Sequence, residues 1–217
     1  MPTTSLPNRF HGLLLLVITA ITITAYVRIP AHLDLSVHWG PHGEADWFWP
    51  KDLALLLIPA IGLLSIALFW CVGRFASAQA LDPHRDMLDQ VLSALLALLA
   101  AIQFGLLLVG VGSDLDMIRT ISFALSGLLL IIGNELRKAE PGSYGGLKLP
   151  WTMHDRMHWR RSHQVNGWLW ILASLALALA AWFWPAPGTL ILALLAAVLV
   201  PAVLGGLYSL LARRRIW

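Results

Sequence analysis

The residues best suited to chemistry in this chain are its eight histidines, and most of them fall in two groups. In the first, His32, His38 and His42 stand among Asp34, Glu44 and Asp46 within 15 residues. Imidazole together with carboxylate is a donor set that suits zinc. The spacing is loose, however, and H-E-x-x-H is absent, so a compact polar loop is the stronger reading. Trp39, Trp47, Phe48 and Trp49 would then form an interfacial aromatic belt, with Gly40-Pro41 and His42-Gly43 reversing the chain. In the second group, His154 and His158 lie one helical turn apart. They supply only two of the ligands a metal needs and read as solvent-facing. The lone Cys71 offers neither a disulfide nor a cysteine metal site and reads as a packing residue. G-x-S-x-G, H-E-x-x-H and phosphate-binding glycine loops are all missing from the sequence. The expectation is therefore a protein without enzyme chemistry, bound metal or cofactor.

These groups must be positioned by apolar elements. Of 217 residues, 58% are hydrophobic and 12% charged, against roughly 25% charged in soluble domains. The mean hydropathy is +0.72. A soluble chain of this length has too much surface to hide so much apolar area, whereas a bilayer acts as its solvent. A span needs about 20 apolar residues, and six stretches qualify: 12–29, 53–72, 88–111, 117–136, 165–184 and 189–212. The expected fold is an all-α membrane protein, a six-transmembrane-helix bundle in contact with membrane lipids. Pro59 and Pro201 should kink their spans, and Arg119 and Glu135 should snorkel from the ends of the fourth.

Orientation follows from the basic residues. The N-terminus, the second and fourth connections and the C-terminus together hold 12 Lys and Arg; the other side holds 3. This positive-inside asymmetry puts both termini in the cytoplasm. The net charge of +3 then reports topology, and direct nucleic-acid binding is not expected. Tight turns at 112–116 and 185–188 imply antiparallel helical hairpins. Two longer connections remain, residues 30–52 outside and 137–163 inside.

In the inner connection, Pro150 closes an extended stretch, and Thr152 with Asp155 resembles a capping box. The helix so started can run into the fifth span. At 100° per residue, Asp155, Trp159, His163, Asn166 and Trp170 share one stripe. His163 is expected to hydrogen-bond another helix near Asn134 or Glu135. Arg156, Arg160 and Arg161 can hold anionic headgroups, at about 1 kcal/mol each.

These residues carry a resemblance. In the outer segment, Pro30, His38, Trp39, Gly43, Asp46 and Lys51 resemble the small domain of unknown function that often accompanies the SdpI family of bacterial membrane immunity proteins. The inner segment is similar to that family itself. Its Gly-Asn, basic loop, Pro-Trp-Thr, Trp and His-x-x-x-Gly positions match Gly133, Asn134, Gly146, Leu147, Lys148, Pro150, Trp151, Thr152, Trp159, His163 and Gly167. Leu147, Lys148 and Ser162 stand where the family has Ile, Arg and Thr. The resemblance divides the chain into a first helical hairpin, residues 1–73, and a four-helix SdpI-like region, 74–217. It implies protection against a membrane-active peptide toxin by binding it, and in some members signalling to a cytoplasmic transcription regulator. The motif-based binding candidates are Asn134, Lys148, Pro150, Trp151, Thr152, Trp159, His163 and Gly167. The outer candidates are His38, Trp39, Gly43, Asp46, Trp47 and Lys51. A second reading is a small-solute or proton transporter, with Gln103, Asn134, Glu135, His163 and Asn166 lining a path.

Overall fold

A computed structural model describes residues 6–77, 81–141, 148–153, 155–183 and 186–212. Six helices dominate it: α1 (Arg9–Arg28), α2 (Lys51–Phe75), α3 (Arg85–Gly110), α4 (Met117–Leu136), α5 (Arg156–Phe183) and α6 (Pro187–Ala212). Each is long and apolar enough to cross a membrane, and each overlaps one of the six expected spans. The chain is a multi-pass membrane protein.

Local chemistry sets the helix starts. Asn8 caps α1 by accepting from the Phe10 and His11 backbone N–H groups, while the His11 ring accepts from the Asn8 N–H. Asp116 caps α4 through the Arg119 N–H at 3.0 Å. The α5 cap differs from the expected one: Asp155, not Thr152, accepts the Met157 N–H at 2.8 Å. The Thr152 hydroxyl is engaged with the backbone of Leu149, an ordinary competition between a local turn and a cap. His154 itself lies outside the described residues, as do Gly146 and Leu147 of the motif.

The helices pack as two groups of three, α1 to α3 and α4 to α6, joined where α3 lies along α4. In the first group, Ile18, Ile58, Leu92, Leu96 and Leu99 form one core, and Ala25, Ile29, Ala54 and Leu55 another. Gln103 is fully buried in mid-α3, where its Nε2 donates to Thr22 Oγ1 (2.9 Å) and to the Leu55 carbonyl (3.2 Å). One amide thus ties three helices together, which is how a buried polar group is normally satisfied inside a bilayer. In the second group, Leu129, Leu177 and Ala197 meet at the centre. The outward residues are large and apolar: Leu64, Leu68, Leu192, Leu199 and Val203 are all more than half exposed. A bilayer would solvate that surface; water would not.

The first long connection adds the one sheet among the described residues. Strands β1 (Asp34–Trp39) and β2 (Ala45–Pro50) form an antiparallel hairpin. Register shifts between Ser36 and His38 and between His38 and Trp39 leave Val37 and Asp46 without cross-strand partners. The sequence signalled the reversal but not the strands. A two-stranded ribbon is marginal by itself; this one is held because Leu35, Val37 and Trp49 pack against Ala25, Ile29 and Leu55 of α1 and α2.

Candidate functional site

Two places gather the residues singled out by the sequence, one at each end of the bundle. At the hairpin end, Lys51 is buried although charged. Its ammonium donates to the carbonyls of Tyr26 (3.2 Å) and Ile29 (3.1 Å) and lies 4.7 Å from the Tyr26 ring centre. A cation on the last carbonyls of a helix satisfies orphan acceptors and complements the dipole, so Lys51 fastens α1 to the start of α2. His38 Nδ1 meets Asp46 Oδ1 at 2.7 Å. The bulge at Asp46 aims its carboxylate across the ribbon, a common use of bulges. Among the described residues, no group of three or more His, Cys, Asp or Glu is placed to share a metal ion.

Gly43 shapes the tip. Its φ of +89° suits glycine, and an added Cβ would lie 2.1 Å from Pro187 Cβ. Gly188 is equally tight, 2.7 Å from the Pro41 carbonyl by the same construction. The tip therefore docks on the start of α6. Beneath the ribbon lies a cavity of about 410 Å³, lined by Leu35, Trp39 and Phe48 of the hairpin and by Val109, Met117 and Ile118 of α3 and α4. Asp34 and Asp116 are the ionisable residues in its wall. Phe48 in its wall is 51% exposed, and Trp47, next to it in β2, is 60% exposed. Trp47 meets Trp49 edge to face at 6.3 Å.

At the motif end, α4 and α5 cross through glycines. A Cβ on Gly133 would lie 2.8 Å from the Gly167 carbonyl, and one on Gly167 would lie 2.5 Å from the Gly133 carbonyl. Small residues allow such approach of two backbones. The stripe on α5 is as expected: Trp159, His163 and Asn166 are each 1–2% exposed. The Trp159 indole donates to the Ala139 carbonyl at 3.0 Å, and the His163 ring stacks on it at 4.0 Å. His163 Nδ1 pairs at 2.8 Å with the Trp159 carbonyl of its own helix, not with Asn134 or Glu135 on α4 as expected. The i−4 carbonyl is the nearest acceptor that any inward-facing polar side chain on a helix meets.

Two further expectations are corrected here. His158 is buried, 2% exposed, rather than facing solvent, because α5 begins before it and turns it inward. Glu135 does not snorkel; it is 4% exposed, and its Oε1 accepts from Lys138 Nζ (2.5 Å) and Asn134 Nδ2 (3.2 Å). Arg137 instead covers the Trp168 ring at 4.0 Å. Arg156, Arg160 and Arg161 are exposed, and Arg160 pairs with Glu140 at 3.2 Å. Trp151 donates its indole N–H to Ser209 Oγ on α6 at 3.1 Å, pinning the Pro150–Thr152 turn to the last helix.

The model of the SdpI/YfhL protein family matches residues 138–209. That region is similar to the SdpI/YfhL family. The match includes Lys148, Pro150, Trp151, Thr152, Trp159, His163 and Gly167, and it stops short of Asn134 and of the hairpin. A similar curated protein is the immunity protein SdpI of Bacillus subtilis (strain 168), 22% identical over 162 residues, 75% of each chain. No solved structure matches. Within the matched region the motif residues are fastenings: Trp159 to the chain after α4, Trp151 to α6, Gly167 to Gly133.

Some participants escaped the sequence reading. His84, in a 3-10 turn (Asp82–His84) before α3, is buried and lines a cavity of about 200 Å³ with Asp86, Glu135 and Lys138. Burial pushes its imidazole below the ordinary value; the Lys148 charge acts the same way and Glu140 opposes it. His11, fully buried near the start of α1, lies within 3.2 Å of the Asp89 carbonyl and 3.1 Å of Ser93 Oγ on α3. Neither histidine has a motif around it; each is recruited by tertiary packing.

Proposed function

We propose that this protein is an integral membrane immunity protein that captures a membrane-active peptide before the peptide can permeabilise the bilayer. The observation that carries this reading is the largely apolar cavity of about 410 Å³ under the hairpin, with half-exposed Phe48 in its wall and exposed Trp47 next to Phe48 in the strand. The name of the Bacillus relative supports the same direction. Under the positive-inside orientation the hairpin faces outward, where a peptide would arrive. Aromatic side chains bring large contact area at low entropic cost and are favoured anchors in binding patches. At the opposite end, the Pro150–Thr152 turn would report occupancy to a cytoplasmic regulator through the Trp151 contact with α6.

Bacteria expressing the chain would be challenged with a panel of membrane-permeabilising peptides, and any captured peptide identified by mass spectrometry after co-purification. Trp47→Ala should weaken capture by about 1 kcal/mol or more, roughly fivefold or beyond. Ala45→Phe, which fills the cavity wall, should lower survival at an unchanged membrane level of the protein. Survival equal to the parent in both variants would end the capture reading. Protection accompanied by solute flux in proteoliposomes would favour transport instead.

A further inference from the structure

The cavity where α3 begins and α4 ends has a floor and a rim of different chemistry. Its volume is about 200 Å³, several times the roughly 30 Å³ share of one water. His84 and Glu135 line it although they are only 7% and 4% exposed, so they form the floor. Asp86, Gln90 and Lys138 line it from exposed positions and form the rim. The floor is unfinished. Neither ring nitrogen of His84 has a hydrogen-bond partner among the described residues, although the residue is more than nine-tenths buried. Glu135 uses Oε1 for Asn134 and Lys138, and its Oε2 has no donor among the described residues. Buried polar groups in that state are costly, and two of them bordering one cavity point to an occupant.

The floor selects the occupant by offering acceptors. Glu135 contributes a carboxylate oxygen, and a neutral imidazole has one lone-pair nitrogen. Burial and the Lys148 charge both disfavour the protonated ring of His84. A metal ion would need more ligands, and no group of three His, Cys, Asp or Glu is placed to hold one among the described residues. A primary ammonium instead presents three N–H donors on one compact head. The Asp86 carboxylate at the rim supplies its third acceptor. Lys138 at the same rim would repel a bare cation but attract an anion attached to it, so a zwitterion fits better than a simple amine.

The place in the fold says where such a group comes from. Arg85 and Asp86 precede the apolar run of α3, and Arg137 and Lys138 follow that of α4. Charged residues at span ends mark the depth of lipid headgroups, and polar pockets between spans at that depth hold them. We propose that this cavity binds a phosphoethanolamine group, its ammonium on Glu135, His84 and Asp86 and its phosphate at Lys138, supplied by an ethanolamine phospholipid. A choline phospholipid carries the same charges but has no N–H to donate.

The test gives the full chain, purified in detergent, ethanolamine and choline phospholipids with identical acyl chains, and counts the retained lipid by native mass spectrometry. Ethanolamine lipid should be retained several-fold over choline lipid. Glu135→Gln should bring that ratio towards one, and so should Asp86→Asn, whose exposed position keeps the test open if the buried variant fails to fold. Glu44→Gln, an exposed carboxylate at the hairpin end, should leave the ratio unchanged. Equal retention of the two lipids by the parent chain would overturn the proposal. A preference that survives both Glu135→Gln and Asp86→Asn would overturn it too, since the lipid would then sit elsewhere on the bundle. Soluble phosphoethanolamine should displace the retained lipid at millimolar concentration; retention unaffected by it would likewise count against this site.

Discussion

The motif residues are explained by what their atoms touch. Gly133 and Gly167 are glycines because the backbones of α4 and α5 meet there, and a Cβ at Gly133 would meet the Gly167 carbonyl, the Ile171 nitrogen and Trp170 Cβ, all within 2.9 Å. None of those atoms is the movable end of a side chain. Gly133→Ala should therefore force the helices apart and lower the thermal midpoint sharply. Gly127→Ala, six residues earlier on the same helix, has nothing within 4 Å; it should stabilise, by up to about 1 kcal/mol from helix propensity. A calorimetric or dye-based melt of the pair in one detergent checks both, and equal melts would remove the crossing as the reason for Gly133. His84 offers a pH test at the same scale. Its folded pKa is lowered, chiefly by burial, so the folded state binds fewer protons than the unfolded one as pH falls through the ordinary histidine value of about 6.5. Its contribution is full above that value and is lost below it. Melting midpoints should fall with acidification, and less steeply in His84→Gln. At this scale the sequence showed which side chains face inward on α5, because periodicity decides that. It did not show which atom each would bond, since His163 finds the carbonyl of Trp159 on its own helix rather than a group on α4.

Among the elements, the helices were the legible part. Runs such as Leu53 to Leu57 and Leu95 to Leu99 leave no alternative within a membrane protein, and α4 coincides with its expected bounds. The hairpin was not legible as strands. β1 and β2 are six residues each, β2 ends in Pro50, and the two bulges break the alternation that would have announced them. What fixes the ribbon is contact with distant residues: Leu35 against α1 and α2, and Gly43 against Pro187. Gly43→Ala demands a left-handed backbone from alanine and thrusts a methyl at Pro187, so it should lift the tip from α6. Limited proteolysis within residues 40–44 should become faster, while the six helices stay protected. Chelators should change nothing in the parent, because the His38–Asp46 pair at 2.7 Å organises the ribbon by itself. Zinc at about one per chain, lost in Asp46→Ala, would replace that hydrogen-bond account by a metal one.

At the scale of the whole molecule, the governing question is which end of the bundle faces the cytoplasm. If all six helices cross the membrane, both chain ends lie on one side, and the distribution of Lys and Arg is what would choose the side. Twelve basic residues flank the motif end and three the hairpin end. Of those three, Lys51 is spent on the α1 carbonyls and Arg119 lies 3.7 Å from Asp116, so the hairpin end has little cationic character of its own. Translocating the motif end would carry most of the chain's positive charge across the bilayer, which the positive-inside rule opposes. A reporter active only in the cytoplasm should therefore work when fused after Arg215 or inserted within residues 76–83. One active only outside should work within residues 42–46. If the insert at 42–46 and the fusion after Arg215 report the same side, an odd number of the five helices α2 to α6 does not cross, and a hairpin on the cytoplasmic side could not meet a peptide arriving from outside.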